Sequence, residues 1–244
     1  MLTSLSTIFI LSLFAQTTAS AEDSGFELKG NFDLGMAIIS GNSKSANSAL
    51  NYDFSYLRSM HKLDFGFHYQ GVRNTDQTTN ILTTSSRLYR SSLQYSYYFS
   101  EEKETYLWTN IANRQDQPSG LISRINAGSG LGYHLLIGED IDLNFEIGAA
   151  YVDEEKISAL SESTVTRFAI DFSWPINGNL SINSSSEFLN SDDIETYVQD
   201  FNLRYSLEGN WYLKFSNNTA YDAYPSKGSL NTDSLYNLTL GTSF

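Results

Sequence analysis

A two-residue alternation of apolar and polar side chains restricts the fold of this chain more than any other feature. Near the end of the chain, one face carries Tyr236, Leu238, Leu240, Thr242 and Phe244, and polar or small residues stand between them. Successive side chains of a β-strand point to opposite faces, so this period gives one apolar face and one polar face. The same period recurs along the chain without a convincing helical segment, and it predicts an all-β protein.

About twelve such segments follow one another, an even count of the kind that single-chain bacterial barrels have. The expected connections alternate in length. Shorter ones fall at 60–61, 100–104, 138–142, 176–179 and 207–210, and longer ones fall at 41–47, 74–83, 115–122, 154–163, 191–195 and 223–233. The pattern predicts a single closed antiparallel up-and-down transmembrane β-barrel of about 12 strands, with short periplasmic turns and longer extracellular loops.

Alternation alone fits both a soluble barrel with apolar residues inside and a membrane barrel with apolar residues outside. Two observations favour the membrane barrel. A closed barrel of about twelve strands is too wide for apolar side chains to fill. Aromatic residues also gather near the expected strand ends, as the girdles of membrane barrels do. The residues assigned to these girdles are Tyr97, Phe99, Tyr106, Trp108, Trp174 and Trp211.

The polar faces carry formal charges in strand after strand, and in a membrane barrel they line the lumen. The predicted lumen-lining charges are Lys29, Asp33, Asp53, Asp64, Arg90, Arg124, Glu146, Arg167, Asp171, Arg204 and Lys214, and Glu187 and Asp200 share these faces. Basic and acidic rows on opposite walls would favour a conducting path, and interleaved ion pairs would favour a plugged lumen. The sequence leaves both readings open because it does not define the barrel shear.

Residues 1–21 have the form of a signal peptide. The apolar core at 8–14 is too short to span a bilayer as a helix, and Ala19-Ser20-Ala21 has the small-x-small form of a cleavage site. The stretch before Ile8 departs from the pattern because it carries no Lys or Arg. We expect Sec-type export, a barrel domain over 22–244, and location in the outer membrane of a Gram-negative bacterium.

The strand that ends at Phe244 resembles the terminal strand of bacterial outer-membrane barrels, which the barrel assembly machinery reads. The resemblance assigns the assembly signal to Tyr236, Leu238, Leu240 and Phe244. The expected partners are therefore outer-membrane lipid and the assembly machinery, with small hydrophilic solutes as a further candidate. The oligomeric state stays open.

Composition argues against several other functions. The chain has 28 Asp and Glu residues against 15 Lys and Arg residues, which argues against nucleic-acid binding. With no cysteine it has no disulfide, thiolate metal site or Cys nucleophile. Its three histidines, His61, His68 and His134, are far apart and lack ligand spacing, so no metal or cofactor is predicted. The glycine run at 128–132 lacks the strand-to-helix context of a nucleotide site, and we interpret it as room-making glycines on the lumen face.

Several segments resemble one known family. They are Leu34-Gly35, Ser40-Gly41-Asn42-Ser43, the Tyr-rich stretch 87–99, the stretch 124–135 around Gly130-Leu131-Gly132-Tyr133, and 143–154 with Gly148 and Tyr151. Together, over residues 31–155, they resemble the salt-induced outer-membrane proteins known as domain of unknown function 481. The resemblance implies an outer-membrane β-barrel and supplies no catalytic residues.

Two functions of different classes follow from these observations. The first is a passive pore for small hydrophilic solutes, and the alternative is a structural or stress-related envelope barrel with a side-chain-plugged lumen. A barrel-embedded hydrolase is a weaker alternative because His68 and His134 fall on the lumen face and not on the lipid face. We therefore predict no enzymatic activity and no catalytic residues.

Overall fold

The computed structural model describes residues 26–39, 45–75, 82–116, 120–138, 140–157, 159–226 and 229–244. The predicted signal peptide at 1–21 and the family segment at 40–43 lie outside these residues. No helix among the described residues is long and apolar enough to cross a membrane.

Twelve antiparallel strands form one closed barrel, in which each strand pairs with its sequence neighbours and β1 pairs with β12. The strands are β1 Phe26–Ile39, β2 Ser45–Arg58, β3 His61–Thr75, β4 Leu82–Tyr98, β5 Thr105–Asp116, β6 Leu121–Ile137, β7 Ile141–Lys156, β8 Ala159–Pro175, β9 Leu180–Asn190, β10 Glu195–Ser206, β11 Trp211–Asp222 and β12 Thr232–Ser243. The predicted all-β fold and strand count are confirmed.

The seam between the first and last strands is the shortest ladder of the barrel. Its register runs from Asn31 opposite Ser243 to Leu34 opposite Leu240, whereas β1 pairs with β2 along its whole length. Phe244 extends the seam by one pair. Its N–H donates to the Gly30 carbonyl at 3.0 Å, and the Gly30 N–H donates to the Phe244 carbonyl at 2.8 Å. Closure of the ring therefore depends on few backbone hydrogen bonds.

The outer face of the barrel is apolar. Leu107, Ile111, Ile147 and Leu238 are between 46% and 67% exposed, and they alternate with residues that face the interior. A contiguous apolar surface of this kind is unfavourable in water and suits a lipid environment. Of the predicted girdle residues, Tyr97, Phe99, Trp174 and Trp211 lie exposed on this face.

The girdle assignment of Tyr106 and Trp108 is wrong, because both rings point into the lumen and are almost completely buried. The outer face of β5 is formed by Leu107 and Ile111 instead. The rings fit inside because glycines stand opposite them on the neighbouring strands. A Cβ at Gly132 would overlap the Tyr106 ring, and Gly130 and Gly148 leave similar room for Trp108. This agrees with the interpretation of the glycine run as room-making residues.

The barrel has two distinct ends. The turn end carries the connections 59–60, 99–104, 138–140, 176–179 and 207–210, and the loop end carries the others. The longer loop expected at 154–163 is wrong, because β7 continues to Lys156 and β8 begins at Ala159. Glu154 and Lys156 are buried on the inner face of β7, so the strand continues through these polar residues instead of ending before them.

Candidate functional site: the charged lumen

The barrel encloses a polar cavity of roughly 730 Å³. Nine of the eleven predicted lumen charges are in its wall: Lys29, Asp53, Asp64, Arg90, Arg124, Glu146, Arg167, Asp171 and Lys214. Asp33 and Arg204 lie beside it, on the inner faces of β1 and β10. The lumen is thus the place where most of the charged side chains of the strands converge.

One ion pair crosses the lumen from wall to wall. Arg90 is on β4 and Asp200 is on β10, and five strands separate them in either direction around the ring. The Arg90 guanidinium donates to both oxygens of Asp200, at 2.6 and 3.0 Å. Asn218 on β11 donates to the same carboxylate at 2.7 Å. This bidentate ion pair, which we call the transverse bridge, spans the lumen and divides it at the level of Arg90 and Asp200.

The wall next to this bridge carries a row of arginines. Arg114 on β5 stands directly opposite Arg90 on one side and Arg124 on the other, and these three residues form the arginine row. Like charges in direct cross-strand contact are destabilising. Each arginine is therefore paired with an acid: Arg114 with Asp116 at 2.6 Å, and Arg124 with Glu154.

The opposite wall is acidic at several positions. Glu187 on β9, Asp200 on β10 and Asp222 on β11 are inward-facing and pair with basic residues of other strands. The two readings from the sequence therefore coexist. The arginine row on β4 to β6 faces acidic residues on β9 to β11, although Arg204 and Lys214 also lie on β10 and β11, and basic and acidic side chains meet across the lumen as ion pairs.

Glu146 is the centre of the best-connected polar cluster, the Glu146 cluster. It accepts hydrogen bonds from Arg167 at 2.7 Å, from Gln94 at 2.7 Å and from Tyr106 at 3.0 Å. Arg167 also donates to Glu187 at 2.7 Å and lies over the Trp108 ring, 4.5 Å from its centroid. Because Glu146 and Arg167 are only 4% and 6% exposed, these contacts satisfy charges that burial would otherwise destabilise.

A second cluster narrows the loop end, and we call it the mouth network. Lys156 on β7 pairs with Glu154 at 2.8 Å and with Asp222 on β11 at 2.7 Å. Its ammonium also donates to the Tyr224 carbonyl at 2.7 Å, and the Ser226 hydroxyl donates to the Gly120 carbonyl at 3.3 Å. The connection after β11 therefore reaches across the mouth to β7 and the turn before β6.

An apolar patch lies on the lumen wall near the mouth network. Ile194, from the connection between β9 and β10, folds inward and is 1% exposed. It packs in one cluster with Ala150, Val152, Val165 and Leu189, all on inner faces. This patch further fills the loop end with side chains.

The seam side of the lumen has its own buried carboxylate. Asp33 is fully buried, pairs with Lys214 and accepts a hydrogen bond from the Tyr212 hydroxyl at 2.5 Å. Arg204 stacks on the Tyr212 ring at 3.7 Å and donates to Asn31 at 3.2 Å. These contacts connect β10 and β11 with β1 from inside the barrel.

Sequence reasoning missed several charged residues of this site, among them the Arg114–Asp116 pair. Arg114 was missed because the apolar pattern of the fifth strand did not define its faces. Glu154 and Lys156 were assigned to a loop, and Asp222 was not included among the lumen charges. The signal that would have found Glu154 and Lys156 is the continued alternation of β7, where Ala150 and Val152 face inward before them.

Two histidines pair with carboxylates without forming a recognisable metal centre. His68 lies 3.2 Å from Asp53, and His134 lies 3.1 Å from Asp142. Over the part of the chain that the structure describes, no three His, Cys, Asp or Glu residues are grouped to hold a metal ion.

The apolar exterior, the polar interior and the closed ring of twelve antiparallel strands define a membrane-type β-barrel. The chain belongs to the family described as "Protein of unknown function, DUF481", whose model matches residues 32–244. The predicted family is therefore confirmed, over more of the chain than the segments that indicated it. Induction by salt stays a prediction.

Solved structures with a similar arrangement of strands include outer-membrane channels and a porin. An outer membrane channel from Pseudomonas putida F1 is 12% identical, with 90% of this chain and 95% of that chain covered and a TM-score of 0.47. The NanC porin is 9% identical, with coverage of 89% and 98% and a TM-score of 0.46. The outer membrane channel DcaP of Acinetobacter baumannii is 10% identical, with coverage of 90% and 96% and a TM-score of 0.41. At identities and TM-scores this low, the similarity carries no information about solutes. None of the curated proteins compared with the chain matches it in sequence.

Proposed function

We propose that this protein is an outer-membrane barrel that forms a narrow passive pore for small hydrophilic solutes. The observation that carries the proposal is the cavity of roughly 730 Å³ inside the closed ring, which is lined by charged and polar side chains from facing walls. Charged groups on facing walls attract polar solutes and ions, and a low-dielectric surround strengthens their field.

The surface of the barrel supports the proposed location. Its apolar exterior requires lipid, and closed barrels of this kind satisfy every backbone hydrogen bond between strands. We propose export by the Sec route with cleavage after Ala21, and insertion in the outer membrane of a Gram-negative bacterium through the terminal strand. Comigration of the protein with outer-membrane markers after fractionation, with a heat-modifiable band on a gel, tests this location. Recovery of the protein in the soluble periplasmic fraction would contradict it.

The size of the solute is limited by the side chains that cross the lumen. The bridge, the mouth network and the inward-folded Ile194 leave space for water and small solutes rather than for long oligosaccharides. We propose no enzymatic role for the lumen, since its charged groups are engaged in ion pairs rather than arranged around a reacting centre.

A structural envelope barrel is the second candidate, and a specific observation favours it. Basic and acidic side chains meet across the lumen at Arg90–Asp200 and again at Lys156–Asp222. If these pairs stay closed, they brace the barrel against deformation and no solute passes.

Single-channel recording in planar bilayers distinguishes the two candidates. The pore predicts a small steady conductance that rises in Arg90→Gln, because this substitution breaks the transverse bridge. Lys103→Gln removes one positive charge from a partly exposed position in the 99–104 turn and is the matched control, with unchanged conductance expected. Absence of conductance by the wild-type protein at every voltage would overturn the proposed pore and favour the structural envelope barrel.

A further inference from the structure

A patch of uncharged polar residues interrupts the apolar outer surface on the wall formed by β9 to β12. Four of these residues stand in direct cross-strand register, one on each strand: Ser186, Gln199, Thr219 and Ser234. Two more lie one step toward the turn end, on either side of Phe201: Ser184 and Asn217. We call these six residues the outer polar patch.

The outer polar patch faces away from the lumen, because the residues that alternate with it line the cavity. Val198 and Asp200, which stand on either side of Gln199, are both in the cavity wall. Asn218, which precedes Thr219, is in the cavity wall as well. All six patch residues are partly or fully exposed, so they are accessible from outside the barrel.

On β9 to β11 the patch lies within the apolar band and not beyond its edge. An aromatic row in the same register borders it on the loop side: Phe188, Tyr197 and Tyr221. An apolar row borders it on the turn side: Ile182, Leu203, Phe215 and Leu238. Aromatic rows mark the interfaces of a membrane barrel, so the patch is on the hydrocarbon side of one interface. Polar groups without partners are unfavourable in that environment.

Hydrogen bonds within the patch satisfy its edges and leave its centre open. The hydroxyls of Thr219 and Ser234 are 3.2 Å apart, and Thr219 donates to Asn217 at 3.3 Å. The hydroxyls of Ser186 and Tyr197 are 3.3 Å apart. The side-chain amide of Gln199 makes no hydrogen bond with another described residue. This amide offers two N–H donors and one carbonyl acceptor toward the outside of the barrel.

We infer that the outer polar patch is the interface through which two copies of this protein pair side by side in the membrane. Hydroxyl and amide groups both donate and accept hydrogen bonds, so the patch is complementary to the same patch on a copy related by a two-fold axis. The bordering aromatic residues add the contact area that interfaces favour. The inference goes beyond the proposed pore and rests only on insertion of the barrel in lipid.

Lipid fits the patch less well than a second copy does. Acyl chains offer no hydrogen-bond partner to the Gln199 amide. Lipid phosphates favour basic side chains, but along the described strands β9 to β12 the outward positions carry one charged residue, the acidic Glu195. The opposite wall gives no comparable surface, since the outward pairs Tyr69–Tyr89 and Phe65–Leu93 are aromatic or aliphatic.

Cross-linking in lipid tests the interface directly, because the chain has no cysteine and each variant then carries a single thiol. The full barrel is reconstituted in phospholipid vesicles at a low protein-to-lipid ratio and treated with a bis-maleimide. We expect a cross-linked dimer of Gln199→Cys. Thr109→Cys, at an exposed outward position of β5 on the far side of the ring, is the matched control and should remain monomeric.

Sedimentation equilibrium in density-matched detergent measures the strength of the pairing. We expect the dimer dissociation constant to rise about tenfold in Gln199→Leu, the scale of one interchain hydrogen bond in a membrane. Thr219→Val should also weaken the dimer, whereas Thr109→Val should leave the dissociation constant unchanged. Heat-modifiable mobility on a gel establishes that each variant is folded, and Thr219→Val carries the test if Gln199→Leu does not fold.

A wild-type protein that is monomeric in both detergent and vesicles would overturn the interface, as would equal cross-linking of the two cysteine variants. A monomer that retains lipid through Gln199, detected by native mass spectrometry and lost in Gln199→Leu, would assign the patch to lipid and overturn pairing. Conductance is a separate readout. A dimer without conductance would overturn the pore and leave the interface, and a conducting monomer would do the reverse.

Discussion

The ring of Phe244 covers Gly30 on the outer surface of the barrel, at the seam where the last residue of the chain meets β1. A Cβ at Gly30 would overlap this ring, so the absence of a side chain at Gly30 is what admits it. The ring also stacks on Tyr52 of β2, with centroids 6.5 Å apart and an interplanar angle of 26°. One aromatic side chain therefore covers a glycine and connects three strands across the shortest ladder of the ring, as aromatic residues do for glycines in other sheets.

Replacing Phe244 with Ala should impair closure of the barrel. The variant keeps the backbone pair with Gly30 but loses a ring contact of about 1 kcal/mol, at a seam that has few other contacts. We expect a lower folded fraction on refolding into lipid vesicles, measured as the heat-modifiable band on a gel. Leu238→Ala, on the same face of β12 and 67% exposed, is the control and should refold normally. Equal yields for the two variants would count against a role of Phe244 in closure.

Replacing Glu146 with Gln should destabilise the barrel by about 3 kcal/mol, because it removes one partner of a buried, hydrogen-bonded ion pair. Arg167 would keep Glu187 but lose its second carboxylate. The free energy of unfolding in vesicles, measured by denaturant titration, gives the effect. Glu155→Gln alters an exposed glutamate near the loop end of the same strand and is expected to change stability by less than about 0.5 kcal/mol. A Glu146→Gln barrel as stable as the wild type would show that the cluster does not support the fold.

Replacing Gly132 with Ala should destabilise the barrel by displacing the Tyr106 ring, whose hydroxyl donates to Glu146 at 3.0 Å. Overpacking of this kind costs about 1–3 kcal/mol. Removing the ring in the double variant Gly132→Ala with Tyr106→Ala should abolish the clash, so a double-mutant cycle should give a coupling energy well above zero. Gly178→Ala is the control, because no atom lies near a Cβ at that turn position. Additive effects would contradict the proposed contact.

Exchanging the charges of Arg90 and Asp200, the two residues of the transverse bridge, should restore the stability that either single reversal removes. Arg90→Asp alone places an acid opposite Asp200, and Asp200→Arg alone adds a base to the arginine row. The double reversal re-forms an opposite-charge pair, and we expect a coupling energy of about 1–3 kcal/mol in the free energy of unfolding. A double variant no more stable than the sum of the single ones would show that the two residues do not bridge the lumen.

The strand pattern and the inward direction of most charges follow from local sequence, and each failure of prediction has an identifiable cause. Tyr106 and Trp108 were placed on the lipid side because aromatic residues near strand ends usually form girdles. Their true direction depends on Gly132 and Gly148 of two other strands, which periodicity within β5 cannot show. Glu154 and Lys156 were assigned to a loop because charged residues near a chain reversal resemble one.

The order of residues along each strand is enough to define the period of two, and with it the strands, the apolar exterior and the polar interior, because the direction of a side chain in a strand depends on its position along that strand. The tertiary structure alone decided which charges meet. Arg90 and Asp200 are 110 residues apart, and their contact depends on closure of the ring and on the stagger between strands. Shear is a property of the whole barrel, so no local segment encodes the transverse bridge or the arginine row.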